Sequence, residues 1–255
     1  MIKISMSKEI LPPFKRFAFY YDEFMLRVVN YRDWVRYVVK IFEYYKLDVQ
    51  RILDLACGSG IPSILLAENG YEIIGIDSSQ EMLAVFASKI INRNLKITLK
   101  HADMRDFTLD KKVDACVSFY DSINYLLTYE DLCRCFNSVA QALKSGGIFT
   151  FDMNTVFCLE HFWDNKKSPR VSQELYTIWE NTYDPIKRIS TLHLTVKTKT
   201  GEVFSEIHQE RGYYPYEISN ALTNAGFNKI DFYEHGTFEP ISEVTLRMMV
   251  VAQKP

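Results

Sequence analysis

No stretch of this 255-residue chain approaches the roughly 20 consecutive apolar residues of a membrane-spanning helix. Its opening residues, MIKISMSKEILPPFKRF, lack the apolar core of a secretory leader. Both absences lead us to expect a cytoplasmic protein with no membrane partner. Neither sign of charge dominates, since 30 Lys and Arg face 32 Asp and Glu and no basic tract stands out. The positive field with which proteins hold a phosphate backbone is therefore missing, and nucleic acid is not the expected partner. The five cysteines (Cys57, Cys116, Cys133, Cys135 and Cys158) form no disulfide framework, and their odd number suits a reducing compartment. Cys133 and Cys135 fall in a helical stretch without a second pair or clustered His to complete a zinc site. They read as core thiols, and no metal is expected. Internal repeats and low-complexity tracts are absent too.

What is present is an alternation. The length suits one large domain or a domain carrying an insertion. After an amphipathic helix over 31–46, Arg51-Ile52-Leu53-Asp54-Leu55 is a short apolar run ending in Ala56-Cys57-Gly58-Ser59-Gly60. A helix over 61–69 follows, then a strand over 71–76 ending at Asp77, and a helix from Ser79 to about Asn92. Strands over 95–100 and 113–119, a helix over 129–143 and a strand over 148–151 continue the series. Such βαβ units imply an α/β fold with a parallel sheet covered by helices on both faces. From about 156 to 213 the rhythm breaks into β-rich segments at 174–182, 188–198 and 202–211, which read as an inserted antiparallel meander. A helix over 215–225 with Pro at its favoured first position, and strands over 229–234 and 244–253, close the chain.

The strand–turn–helix at 52–69 carries the strongest chemical signal. Glycines after a parallel strand let backbone amides and a helix N-terminus approach a ligand closely. Asp77 ends the next strand, where a carboxylate can take both hydroxyls of a ribose. That much also suits a dinucleotide enzyme. However, Ser63 stands where the dinucleotide fingerprint wants Gly or Ala, whereas Asp54-x-Ala56-x-Gly58-x-Gly60 fits a pattern with Ala in its first glycine slot.

With these residues the chain resembles the class I S-adenosylmethionine (SAM)-dependent methyltransferases over nearly its whole length. ILDLACGSG (52–60), IIGIDSS (73–79), HADMRDF (101–107) and LKSGGIFTFD (143–152) are similar, in order, to four of their motifs. The resemblance implies a Rossmann-like, mostly parallel seven-stranded sheet whose last strand runs antiparallel beside the fifth. It implies SAM as cofactor and S-adenosylhomocysteine as product. Gly58 and Gly60 would leave room for the cofactor, Asp54 and Ala56 would shape the loop, and Asp77 with Ser78 would hold the ribose end. Met82 and Met104 would pack on the adenine, Asp103 would accept from its amino group, and Phe119 and Tyr120 would sit beside the sulfonium.

A narrower resemblance rests on FAFYYDEFM (17–25), DSINYL (121–126) and the β insertion. These are similar to a subgroup of small prokaryotic methyltransferases that includes the aminosugar N,N-dimethyltransferases. Tyr21 and Tyr31 would close over the cofactor. The aminosugar enzymes have a histidine where this chain has Tyr125, a departure that counts against an aminosugar acceptor. On an edge strand, His208 and Glu210 project to one face and Gln209 and Arg211 to the other. Tyr125 and His208 are thus candidate proton acceptors, while Asp152, Asn154 and Arg211 are candidate acceptor contacts. The expected organisation is a SAM-binding domain over 1–155 and 212–255 with an N-terminal helical cap, plus an inserted lid over 156–211. The expected acceptor is a small molecule, an amine before an RNA nucleoside, with a non-catalytic SAM-binding module as a further alternative. A monomer or homodimer is expected.

Overall fold

A buried parallel strand has to be apolar on both faces, and Arg51–Leu55 is: Ile52, Leu53 and Leu55 are fully buried. The computed structural model describes residues 10–255, so residues 1–9 of the segment read for a leader lie outside it. Its strands are β1 (Ile10–Leu11), β2 (Arg51–Leu55), β3 (Glu72–Asp77), β4 (Ile97–His101), β5 (Val113–Ser118) and β6 (Leu143–Asn154). They continue as β7 (Lys167–Val171), β8 (Leu175–Asp184), β9 (Ile189–Thr198), β10 (Val203–Arg211), β11 (Lys229–Glu234) and β12 (Arg247–Gln253). The helices are α1 (Tyr21–Met25), α2 (Tyr31–Tyr44), α3 (Ile61–Glu68), α4 (Gln80–Ile90), α5 (Tyr129–Ala142), the single turn α6 (Val156–Cys158) and α7 (Pro215–Asn224). Among the described residues no helix is long and apolar enough to cross a membrane.

Seven strands form the main sheet in the order β11-β12-β6-β5-β2-β3-β4. Neighbours from β6 to β4 pair in parallel, and β12 runs antiparallel between β11 and β6. Because strand side chains alternate, Ile52, Ala115 and Ile148 join Val35, Val38 and Ile41 of α2 in one core cluster. Leu53, Cys116 and Phe149 join Phe136 of α5 and Leu222 of α7 in the other. Helices start where side chains cap them: Asn30, Ser79 and Thr128 accept from the amides of Asp33, Met82 and Asp131.

Two boundaries differ from the sequence reading for reasons of pairing. β6 begins at Leu143, ahead of Gly146-Gly147, because Leu143 pairs with Val113; the register then jumps so that Ala115 meets Ile148. The intervening residues bulge. β12 begins at Arg247 because its partner β6 ends opposite, at Asn154.

The second sheet, β1-β10-β9-β8-β7, is antiparallel except that β1 lies parallel to β10. β10 is therefore not an edge strand, since the N-terminal segment covers it. Phe17 and Phe24 from that segment pack with Leu175, Leu194, Val196 and Phe204. This cluster ties the insertion to the N-terminal helices.

Candidate active site

A cavity of about 680 Å³ opens at the carboxyl ends of β2, β3 and β5, facing the second sheet. Parallel α/β sheets bind ligands at such strand ends. Its floor is the turn after β2. Ala56 there takes a left-handed conformation (φ 58°), as do Gly58 (52°) and Gly60 (81°). A side chain on Gly58 would meet no protein atom within 4 Å, so its absence leaves the cavity floor to a ligand. Gly60 differs: it does not line the cavity, and a Cβ there would stand 2.2 Å from the Phe86 ring. It permits α3 to pack against α4.

Two carboxylates flank this turn. Asp77 accepts from Gly58 N (2.8 Å) and Ser79 N (2.8 Å), which fixes the loop and leaves its remaining lone pairs at the cavity wall. Burial pushes its carboxyl up, against the opposing pull of those amides. Asp54 accepts from Ser63 Oγ through Oδ2 (2.6 Å), but its Oδ1 is buried without a partner. Burial raises Asp54 to about 7, opposed by the Ser63 hydroxyl and reinforced by Asp77. An unpartnered carboxylate oxygen on a cavity wall suits a cation, as the α-ammonium of SAM provides. The residues present therefore fit that cofactor.

Ser78, Met82, Met104, Tyr21 and Tyr31 line the same cavity. Asp103 does not. It lies in a neighbouring recess of about 190 Å³, with Arg105 bound bidentately to its carboxylate (Nε 2.9 Å, Nη2 2.6 Å). That guanidinium holds its carboxyl below the usual range despite burial.

The opposite wall begins at Phe119 and Tyr120, where β5 ends in two left-handed residues, Tyr120 (φ 59°) and Asp121 (φ 54°). This corner explains why Asp152 is not at the cavity. Its fully buried carboxylate accepts the Tyr120 (2.6 Å) and Asp121 (2.9 Å) amides and contacts Arg247, which also binds Asp121 (2.7 Å). Asn154 is also withdrawn, donating to Glu210 Oε2 (2.9 Å) while Asn124 brackets its backbone. Arg211 points away from the cavity, with its guanidinium on the Leu127 carbonyl (3.1 Å) and over the Tyr213 ring. The side-chain alternation of β10 explains this: Glu206, His208 and Glu210 are buried on its inner face, so Arg211 must face out.

On that inner face, His208 and Tyr125 meet. Tyr125 Oη lies 3.0 Å from His208 Nδ1, and His208 Nε2 lies 3.2 Å from Glu206 Oε2. Burial, followed by Glu210 and the other acids nearby, keeps the Tyr125 phenol protonated far above its usual range. Glu210 also lines the cavity. Burial above all, then the charge of Asp121, pushes its carboxyl well up, opposed by the hydrogen bond from Asn154. Glu206 and Glu210 escaped the sequence reading as site residues, although the same alternation that selected His208 marks them. Arg170 reaches the cavity stacked over Trp179 (4.2 Å) and pairs with no carboxylate among the described residues. No local pattern signalled it.

Residues 52–147 match the family described as "Methyltransferase domain". The Bacillus subtilis (strain 168) protein YqeM, a methyltransferase by name, is 34% identical over 219 residues, covering 84% of this chain and 86% of that one. The chain is a class I SAM-dependent methyltransferase. A SAM-dependent methyltransferase from Clostridium acetobutylicum superposes on this one with a TM-score of 0.84 at 26% identity, covering 93% of this chain and 97% of that one. A Streptomyces venezuelae enzyme, dTDP-3-amino-3,4,6-trideoxy-alpha-D-glucopyranose N,N-dimethyltransferase, is 28% identical over 200 residues, 74% of this chain and 79% of that one.

Proposed function

We propose that this methyltransferase transfers the methyl group of SAM to the nitrogen of a small amine. The observation that carries the reading is the buried Tyr125–His208–Glu206 chain at the cavity wall, opposite the glycine turn. When bound, SAM supplies an electrophilic methyl group whose bond to the sulfonium breaks, with S-adenosylhomocysteine as leaving group, as an amine nitrogen attacks in line. Gly58, Asp77, Ser78 and Met82 would hold the cofactor on the floor, with Asp54 facing its ammonium and Tyr21 and Tyr31 above. The inserted sheet and the N-terminal segment would form the acceptor side and exclude water.

An amine attacks only through a free lone pair, so an acceptor that arrives as an ammonium must first give up a proton. Tyr125 cannot act alone, because its phenol is held neutral. It can take the amine's proton while passing its own to His208 Nδ1, with Glu206 balancing the imidazolium, as the acid does in a Ser-His-Asp triad. A positioned base of this kind contributes about 10²–10⁴-fold. An imidazole is thus at hand although position 125 carries tyrosine. The Asp121–Glu210 pair and the Trp179 ring suit an incoming ammonium, and the Arg170 guanidinium suits an anionic substituent further out. The named amino-sugar acceptor of the Streptomyces relative supports a small amine as the class.

The test is an acceptor panel of small primary and secondary amines, with and without an anionic group, scored by S-adenosylhomocysteine release and mass of the product. N-methylated product from at least one amine is expected. Turnover confined to oxygen, carbon or RNA acceptors would overturn the reading, and tight SAM binding with no turnover on any of them would favour a non-catalytic SAM-binding module.

A further inference from the structure

Glu206 is fully buried, yet four donors converge on it. Its Oε1 accepts the backbone N–H groups of Arg16 (2.7 Å) and Phe17 (2.8 Å). Its Oε2 accepts that of Phe14 (2.9 Å) and lies 3.2 Å from His208 Nε2. The β1–β10 pairing delivers these amides, since Leu11 stands opposite Glu206. Phe14 then turns back with a φ of 57°, uncommon for a bulky residue. Its ring meets His208 edge-on at 4.8 Å and lies 5.7 Å from Tyr125. The segment that closes the cavity and the imidazole that faces it therefore share one carboxylate.

We propose that Glu206 is a positioning residue: it fixes His208 as the Nε2–H tautomer and makes that tautomer depend on docking of the Phe14–Phe17 segment. The inference rests on reading Tyr125 and His208 as the acceptor-side proton path. An ionised carboxylate only accepts, so Nε2 must donate to it; Nδ1 is then left as the acceptor that Tyr125 needs. Burial pushes the Glu206 carboxyl up, but His208 and the Phe17 and Arg16 amides outweigh it and hold it below the usual range. It therefore stays anionic. A carboxylate has about four lone-pair sites, and three of the four donors come from the N-terminal segment. Without the segment, Glu206 would keep only His208 among these four donors and would no longer be fixed opposite Nε2, so the tautomer would lose its anchor.

The experiment is long-range ¹H–¹⁵N NMR of the ¹⁵N-histidine-labelled full chain, with His208→Asn assigning the signal, together with amide exchange at Phe14, Arg16 and Phe17. In the wild type we expect His208 as the Nε2–H tautomer. Glu206→Gln offers one oxygen and two N–H donors to the same four donors. We expect His208 to move to the Nδ1–H form and the Phe14 amide to exchange at least tenfold faster. Tyr125→Phe should retain Nε2–H, because Glu206 and not the phenol sets it. The proposal is overturned by an Nδ1–H wild type, by a flip in Tyr125→Phe, or by Glu206→Gln with the tautomer unchanged and exchange within twofold. Should Glu206→Gln not fold, Glu206→Asp keeps the charge but withdraws it, and unchanged Phe14 exchange in that variant overturns the coupling. None of these readouts uses turnover. A failed acceptor panel would thus count against the proposed function alone, and a wrong tautomer against Glu206 alone.

Discussion

The two walls of the cavity are built by different means. The floor proposed for the cofactor comes from one continuous stretch, Asp54 to Met104, and works mainly through backbone: left-handed turn residues, amides, and two carboxylates at strand ends. The wall proposed for the acceptor is assembled from the N-terminal segment, the β5 corner and four strands of the second sheet, and works through side chains paired across them. Backbone-built sites leave a local spacing pattern. Sites built from side chains depend on which strand pairs with which, and on which face each residue takes.

The largest effect is expected from Gly60→Ala, which adds a Cβ 2.2 Å from the Phe86 ring at a φ of 81°. Overpacking and the left-handed penalty together should cost about 3 kcal/mol or more, read as a lower urea midpoint. A stable variant would mean that this glycine is incidental. Next comes Asp77→Ala, which removes both the proposed ribose acceptor and the clamp on Gly58 and Ser79. Calorimetry should show SAM affinity falling by about 100-fold, equivalent to one or two hydrogen bonds to a charged group.

A pH series probes the same wall. In the free protein burial keeps Asp54 protonated below about 7; a cofactor cation favours the carboxylate, so binding releases a proton there. SAM affinity should rise up to tenfold per unit as pH climbs towards 7 and level off above it. The folded-state pKa exceeds the unfolded value of about 3.9, so the free protein should lose stability from this group as pH rises from about 4 to 7. A flat binding profile would remove Asp54 from the cofactor's contacts. The smallest contrast lies between two arginines. Arg170→Met should raise KM for an anionic amine about tenfold, while Arg211→Met, whose guanidinium faces Tyr213 and Leu127, should leave KM within twofold.

The parallel α/β core and its glycine turn were legible because each rests on short-range pattern: apolar runs, glycines after a strand, and an aspartate at the end of the next; the antiparallel place of β12 beside β6 came with the resemblance. The acceptor wall was read only in part. His208 and Arg211 cannot both face the cavity, since an odd spacing puts them on opposite faces; alternation places Glu206 and Glu210 with His208. Asp152 lies at a strand's carboxyl end, as ligand contacts do, but the left-handed corner at Tyr120 and Asp121 claims its carboxylate. Strand β1 was beyond a sequence reading: two residues carry no period, and only its pairing to β10 turns an apparent edge into a buried wall.

The most direct test of the account is to measure cofactor affinity and turnover side by side in His208→Asn, using the best amine from the acceptor panel. If the two walls are separate devices, turnover falls by about 100-fold and the SAM dissociation constant stays within twofold. Loss of both together, or of neither, would contradict it.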